Sequence, residues 1–400
     1  MKKVCGDKNK TVFVGMSGGV DSSVSAAILK DQGYNVVGVF IKTWHPEFIA
    51  CNEEEERLDA MRVCAHLDIP FLTFDFEDVY KNEVADYMIS EYKAGRTPNP
   101  DVMCNKEVKF GVFLKKALSM GADYVATGHY ANNKKKNFKK LLSRYSHSNL
   151  NMVNCLDDAD VAESTFSNFS LEKSIDPSKD QSYFLWTLNQ EQLSKIIFPI
   201  GHLKKTEVRK LANKFKIPVA EKKDSQGICF LGAVDLKDFL KHYIKEKRGK
   251  VVLAQSGVEG NDIGEEIGYH DGVVFFTIGE RHGFTITKKS PNDGAYYVIA
   301  KDLKKNILYV SQNSKKVFSV DLAENTFLNL DNINWISEVP KINKKYTAQI
   351  RYHGEFLSCK VESLDKENVK IIFEKSFSVD SGQSCVLYDG NVVLGGGVIK

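Results

Sequence analysis

Nine residues near the start of the chain, GMSGGVDSS from Gly15 to Ser23, fall where an apolar run ends and a helical pattern begins. Gly18 and Gly19 let the backbone turn tightly, while Ser17, Ser22, Ser23 and the N–H groups of a helix start face outward with the positive end of the helix dipole. Such a nest binds phosphate. It is not a Walker A loop, because the one Gly-Lys pair in the chain, Gly249-Lys250, is followed by Val251. A second segment, GRTPNPDVMCNKEVKF (Gly95 to Phe110), sets two prolines and Asp101 just before Cys104, at the start of a helical pattern and outside the stripe that Phe110 begins. A thiol there has its pKa lowered from about 8.5, with Lys106 and Lys109 adding to the effect. A third, KKDSQGICFLG (Lys222 to Gly232), sets Cys229 after a glycine turn. The stretch is too short and irregular for a core helix, which suits exposure; Ile228, Phe230 and Leu231 suit a buried thiol equally well, and both readings stand.

The elements that must hold these segments alternate. TVFVGM (from Thr11), NVVGVFIKTW (from Asn35), PFLTFDF (from Pro70) and YVATGHY (Tyr124 to Tyr130) read as strands. Between them, stripes such as Val20, Val24, Ala27 and Ile28, or Leu58, Met61 and Ala65, have helical spacing. Alternating β and α with near-continuous apolar strands predicts an α/β fold with a parallel sheet covered on both faces, ligands binding beyond the strands' carboxyl ends. From about 132 to 170 the pattern dissolves into Asn, Ser and Lys, as a mobile insertion would. Its basic run, Lys134 to Lys140, reads as a solvated loop before an RNA contact. Order returns at KDQSYFLWTL and in an amphipathic segment from Lys204 to Lys216. Past Gly249, short runs split by glycines predict a small mixed domain and then a barrel.

Four hundred residues exceed what one core usually organises, about 250–300, so two or three domains are expected. With 42% apolar and 27% charged residues the chain is neither disordered nor fibrous. A net charge of +3 neither demands nor excludes a polyanionic partner. Eight irregularly spaced cysteines without a CxxC pair exclude a secreted disulfide scaffold. No apolar h-region follows the basic start and no stretch reaches a membrane span's length, so a reducing cytoplasmic setting without membrane is expected. There, Cys104 and Cys229 would form no permanent staple but could join transiently.

Taken in order, the GMSGGVDSS loop, RTPNPD-x-x-CN, ATGHY, KDQSYFL, DS-x-GICF and a C-terminal GQS…LGGG run resemble the tRNA-specific 2-thiouridylase family, within the PP-loop ATP pyrophosphatases, over nearly the whole chain. The resemblance implies a Rossmann-like PP-loop domain over 1–225, a small central domain over 226–295 and a C-terminal β-barrel over 296–400. It implies binding of ATP by Gly15, Met16, Ser17, Gly18, Gly19, Val20, Asp21 and Ser22, with Asp21 helping to hold Mg²⁺, Ile41 near the adenine and Gly128 allowing backbone approach to it. It implies a tRNA-uridine 2-sulfurtransferase: the wobble uridine's C2 oxygen is adenylated, Cys229 carries sulfur as a persulfide, and Cys104 attacks that persulfide and ends in a disulfide with Cys229. Asn99, Pro100 and Asp101 would contact the target base, Asp101 alternatively acting as general base. Lys179, Asp180, Gln181, Arg351 and Tyr352 would contact tRNA, with Lys, Glu and Gln isoacceptors as substrates. The sulfur donor would be a cysteine desulfurase or relay protein, and the enzyme a monomer.

Rival readings are another PP-loop adenylating ligase, indifferent to loss of either cysteine; an iron–sulfur cluster on Asp101, Cys104 and Cys229; and a tRNA-binding protein without chemistry. Elsewhere, Cys64 shares a helical turn with core residues, His129 reads as structural, and the spacing of Cys51, His45 and His66 is wrong for a standard zinc site. Cys5, Cys155, Cys359 and Cys385 have no constellation around them.

Overall fold

The computed structural model describes residues 9–49, 52–135, 169–224, 235–254, 264–312, 326–365 and 368–400. Cys5, Cys51, Cys155 and Cys229 lie outside these residues, as does most of the expected insertion.

The apolar runs form a parallel sheet in the order β3-β2-β1-β4-β7: β1 (Thr11–Gly15), β2 (Asn35–Lys42), β3 (Phe71–Asp75), β4 (Tyr124–Ala126) and β7 (Ile196–Ile197). β4 is shorter than its sequence suggests, and Thr127–Tyr130 leaves the sheet at its carboxyl edge. On one face pack α1 (Val20–Gln32) and α2 (Glu53–His66), sharing a core of Val12, Val14, Val24, Ala27, Val63 and Cys64. The other face carries α3 (77–93) and α4 (100–119), on Phe13, Val39, Val84, Val108 and Phe113. Cys64 is a core thiol, as expected, and burial pushes its pKa up to about 12.

The expected insertion is framed by structure. β5 (Ala131–Lys135) and β6 (Phe169–Lys173) form an antiparallel pair in register from Ala131↔Lys173 to Lys135↔Phe169, so its first and last residues are strand and not loop. β6 touches the last strand of the chain through Val392↔Glu172.

A middle sheet runs β10-β9-β8-β12-β11, built from β8 (Gly249–Leu253), β9 (Glu266–His270), β10 (Thr285–Ile286), β11 (Tyr297–Asp302) and β12 (Ile307–Ser311). β11 and β12, which the expected boundary between 295 and 296 assigns to the barrel, belong here because β12 pairs in parallel with β8. Six later strands close a barrel: β13 (Thr326–Trp335), β14 (Lys345–Gln349), β15 (Leu357–Leu364), β16 (Val369–Phe373), β17 (Ser384–Asp389) and β18 (Val392–Ile399), sealed by the pairing of β13 with β18. Its interior holds Leu330, Ala348, Val361, Ile371 and Leu387. The core under α3 and α4 continues into the middle sheet through Phe239, Phe275, Phe276 and Val298, so these units share one apolar interior. Among the described residues no helix is long and apolar enough to cross a membrane.

Candidate active site

β1 ends at Gly15, and the chain turns through Gly18, at φ +67°, into α1. A side chain at Gly18 would collide with the Glu56 carbonyl of α2, so both the backbone angle and the close approach demand glycine. The Ser17 and Ser22 hydroxyls stand 3.2 Å apart, Ser22 Oγ accepts the Ser17 N–H at 3.2 Å, and Ser23 Oγ donates to the Gly19 carbonyl at 2.7 Å. Gly19 is the N-cap and no side chain caps the first turn of α1. Its amides therefore remain for an anion at the positive end of a 13-residue helix.

Asp21, on that turn, is gripped from two sides. Lys205 Nζ, at the first residue of α5 (Lys205–Lys214), donates to both carboxylate oxygens at 2.8 and 2.9 Å, and the Tyr130 hydroxyl donates to Oδ1 at 2.9 Å. Lys205 also reaches Asp224 at 2.7 Å, and Lys179 and Arg209 meet that same carboxylate at 2.7 Å each. Burial pushes the Asp224 carboxyl up, but hydrogen bonds from Lys179 and Lys205 and their charges hold it well below the usual range. Arg209 further donates to the carbonyls of Ala220 and Lys222 at 2.7 and 2.6 Å, while Lys222 pairs with Asp59 at 2.8 Å. The chain thus reaches Asp224, five residues before Cys229, tied to the phosphate loop through Lys205. Lys205, Asp224, Arg209 and Tyr130 escape a motif reading. The one signal for them was that Asp224 and Tyr130 lie inside segments chosen for other residues.

Gly128 was expected to admit a nucleotide base; here it admits α1. A side chain on it would stand 2.7 Å from the Ser22 nitrogen, so glycine lets the segment after β4 lie against the phosphate loop. The next residue, His129, is buried in a three-ring cluster with Phe110 and Phe198, and its Nδ1 lies 2.7 Å from Thr127 Oγ1. Burial, then the Lys109 charge, drives its pKa well below the ordinary value, which fits a structural residue. Ile41 is buried near the carboxyl end of β2, in the core with Phe13 and Phe74.

α4 opens with Asn99 as its cap, Oδ1 accepting the Val102 N–H at 3.2 Å, and with Pro100 in the first turn. Cys104 lies near the helix start as expected, yet its side chain is fully buried, with Val102, Val108 and Phe110 in its core cluster. The reason is local winding: Cys104–Val112 is a wide π-helical stretch, which turns Cys104, Val108 and Phe113 onto one inward face. A stripe counted at 3.6 residues per turn leaves Cys104 off that face. Asn105 is buried beside it, donating to the Asp101 carbonyl at 2.9 Å.

Of the residues expected to meet RNA, Asp101, Asp180 and Tyr352 converge: burial first, then the charges of Asp180 and Asp101, raise the Tyr352 hydroxyl to about 12. The Tyr352 ring lies 4.3 Å from that of Phe184. Asp180 is largely turned inward, accepting from the amides of Ser174 and Ser182 at 3.0 and 3.2 Å. Gln181 accepts the Tyr130 N–H at 3.0 Å, and Lys179 is engaged with Asp224. Arg351 is exposed and donates to the Ser378 carbonyl at 2.9 Å. Lys179 and Gln181 therefore stand with the phosphate loop, and Asp180 and Tyr352 with the start of α4.

Comparison with known proteins follows the same three units. Residues 10–233 match a family described as tRNA methyl transferase HUP domain, 237–312 its PRC-barrel domain, and 325–399 an aminomethyltransferase β-barrel domain. A tRNA-specific 2-thiouridylase MnmA of Geobacillus thermodenitrificans is 42% identical over 97% of this chain and 94% of its own. The chain belongs to the tRNA-specific 2-thiouridylase family. A second member, from Streptococcus thermophilus, is 41% identical over 98% of this chain and 96% of its own. Among solved structures, a U34-tRNA thiolase from Methanococcus maripaludis with a [4Fe-4S] cluster aligns with 61% of this chain and 71% of its own at 17% identity and a TM-score of 0.32. Membership of the 2-thiouridylase family brings an ATP-using PP-loop domain with it, and the phosphate loop and its Asp21 network occupy the first of the three matched units.

Proposed function

We propose that this chain is an ATP-dependent tRNA 2-thiouridine synthase acting at the wobble uridine. The observation that carries the reading is the Lys205 bridge, which joins the phosphate-loop Asp21 to Asp224 at the root of the segment bearing Cys229. It ties the loop that would activate an oxygen to the chain that would deliver sulfur.

Ser17 through Ser22, with the α1 amides, hold the β and γ phosphates of ATP. Mg²⁺ is commonly bound by one or two carboxylates together with substrate phosphates. Asp21 Oδ1 already accepts from Lys205 and Tyr130, whereas Oδ2 accepts from Lys205 and keeps a lone pair, so Oδ2 would hold the ion, which would supply charge neutralisation there. Ile41 lies toward the adenine. Asn99, Pro100 and Asp101 receive the uracil, extruded from the anticodon stack, and Tyr352 and Arg351 offer stacking and phosphate contacts to the RNA. The uracil C2 oxygen attacks the α-phosphorus and pyrophosphate leaves, giving an O-adenylate. The terminal sulfur of a Cys229 persulfide bonds to C2, the C2–O bond breaks, and AMP departs. Cys104 attacks the Cys229 sulfur, the persulfide S–S bond breaks, and 2-thiouridine is left with a Cys104–Cys229 disulfide that an external dithiol reduces. Sulfur reaches Cys229 from a cytoplasmic cysteine desulfurase or relay protein, and the tRNAs are those for Lys, Glu and Gln.

The test is incubation with ATP, Mg²⁺, a persulfide donor and unmodified tRNA, followed by nucleoside mass analysis. Wild type should yield 2-thiouridine and equimolar AMP; Cys104→Ser and Cys229→Ser should yield none. Sulfur insertion by both variants would refute the thiol relay.

A further inference from the structure

The segment that leads into α4 is docked on the rest of the molecule at one buried point. Thr97 donates its hydroxyl to Asp380 Oδ2 at 2.9 Å, its N–H to the Ser381 carbonyl at 2.8 Å, and its carbonyl accepts from Gln383 Nε2 at 2.9 Å. Asp380 and its neighbours form the turn before β17 of the barrel. Gly382 in that turn has φ +91°, and a side chain there would stand 3.1 Å from the Thr97 backbone. From the middle sheet, Lys301 on β11 donates to Asp380 Oδ2 at 2.6 Å, to the Gly95 carbonyl at 3.1 Å and to the Phe276 carbonyl at 3.0 Å. The Ile278 N–H adds a longer bond to the same oxygen at 3.3 Å. The Lys301 and Asp380 side chains are 6% and 5% exposed. All three units meet on one ion pair.

We infer that Lys301 and Asp380 are positioning residues for the sulfur-transfer step: they fix Thr97, and with it the Asn99–Asp101 turn and Cys104. This rests on the functional reading given above. A buried ion pair is a poor source of stability, since desolvating two charges consumes most of their attraction; what it supplies is fixed direction. Here the pair and the Thr97 hydroxyl aim at the backbone two residues before the α4 cap. The loop holding the reacting groups is thereby referenced to the barrel and middle sheet as well as to its own domain. Displacement of a reacting group by about an ångström costs about a hundredfold in rate, so a loosened anchor acts on the chemical step before it acts on binding.

The experiment compares full-length wild type with Thr97→Val, Thr97→Ser and Asp380→Asn, measuring 2-thiouridine kcat, KM for tRNA and ATP, thermal melting, and the rate at which iodoacetamide labels Cys104. Thr97→Val keeps the branched shape and removes the hydroxyl's hydrogen bonds, to Asp380 and to the Thr277 hydroxyl 3.3 Å away. It should lower kcat about ten- to hundredfold with both KM values within about twofold, and label Cys104 about tenfold faster. Thr97→Ser should restore both. If Asp380→Asn does not fold, the Thr97 pair decides alone. A folded Thr97→Val with wild-type kcat overturns the proposal whatever its melting temperature. Should wild type itself make no 2-thiouridine, the functional reading has failed, and Cys104 labelling unchanged in Thr97→Val then overturns this inference separately.

Discussion

Both oxygens of Asp21 are held by the Lys205 ammonium, which faces a second carboxylate, Asp224, on its other side. Removing a charged donor that is fixed beside developing phosphate charge costs about a hundredfold or more. Lys205→Ala should therefore lower tRNA-dependent ATP-to-AMP turnover about a hundredfold, measured by chromatography of the nucleotides, while tRNA affinity in a filter-binding assay changes little. Asp224 carries its own prediction. Its folded pKa is depressed, so the stabilisation it brings is present above the ordinary carboxylate pKa of about 3.9 and is lost as pH falls through the folded value. Thermal melts of wild type and Asp224→Asn should differ most near neutral pH and converge in strong acid. Divergence that grows on acidification would contradict the pairing. At this scale the sequence shows Asp21, because the residue types around it are rare in combination. It hides Lys205, whose partners lie far away along the chain, and nothing local marks one lysine among many.

Helix α4 shows how an element can be legible in place and illegible in phase. Pro100, Asp101 and the Asn99 cap announce where it starts, and Cys104 does sit near that start. Its burial follows from the wide turn over Cys104–Val112, a winding that no periodicity count anticipates. The pair β5–β6 is the converse case: polar composition suggested loop, yet Asn132 and Asn133 are strand residues. Their side chains donate to backbone carbonyls of Lys173 and Gly201 and of Leu193 and Ile196. Because Lys135 and Phe169 are paired in register, a two-residue Asn-Gly turn can join them. Replacing 136–168 by Asn-Gly should leave the melting temperature within about 3 °C, the shift that about 1 kcal/mol gives in a unit of this size, and tRNA affinity unchanged. A large loss of tRNA binding would assign the basic run an RNA contact in place of a solvated face.

Across the whole molecule, the order of units was readable from texture, since alternating β and α runs give way to glycine-punctuated strands. The seam was not. β11 and β12 look like barrel strands in isolation, and only the parallel pairing of β12 with β8 assigns them to the middle sheet. The shared apolar core and the Lys301–Asp380 contact then make the three units act on one loop. The reaction proposed for this chain is one in which a carbonyl oxygen must leave as part of AMP. The direct measurement uses tRNA whose wobble uridine carries ¹⁸O at C2, with mass analysis of the nucleotide released in a single turnover. The account predicts that AMP gains the heavy oxygen in step with 2-thiouridine formation; unlabelled AMP, with the ¹⁸O released to water, would contradict it.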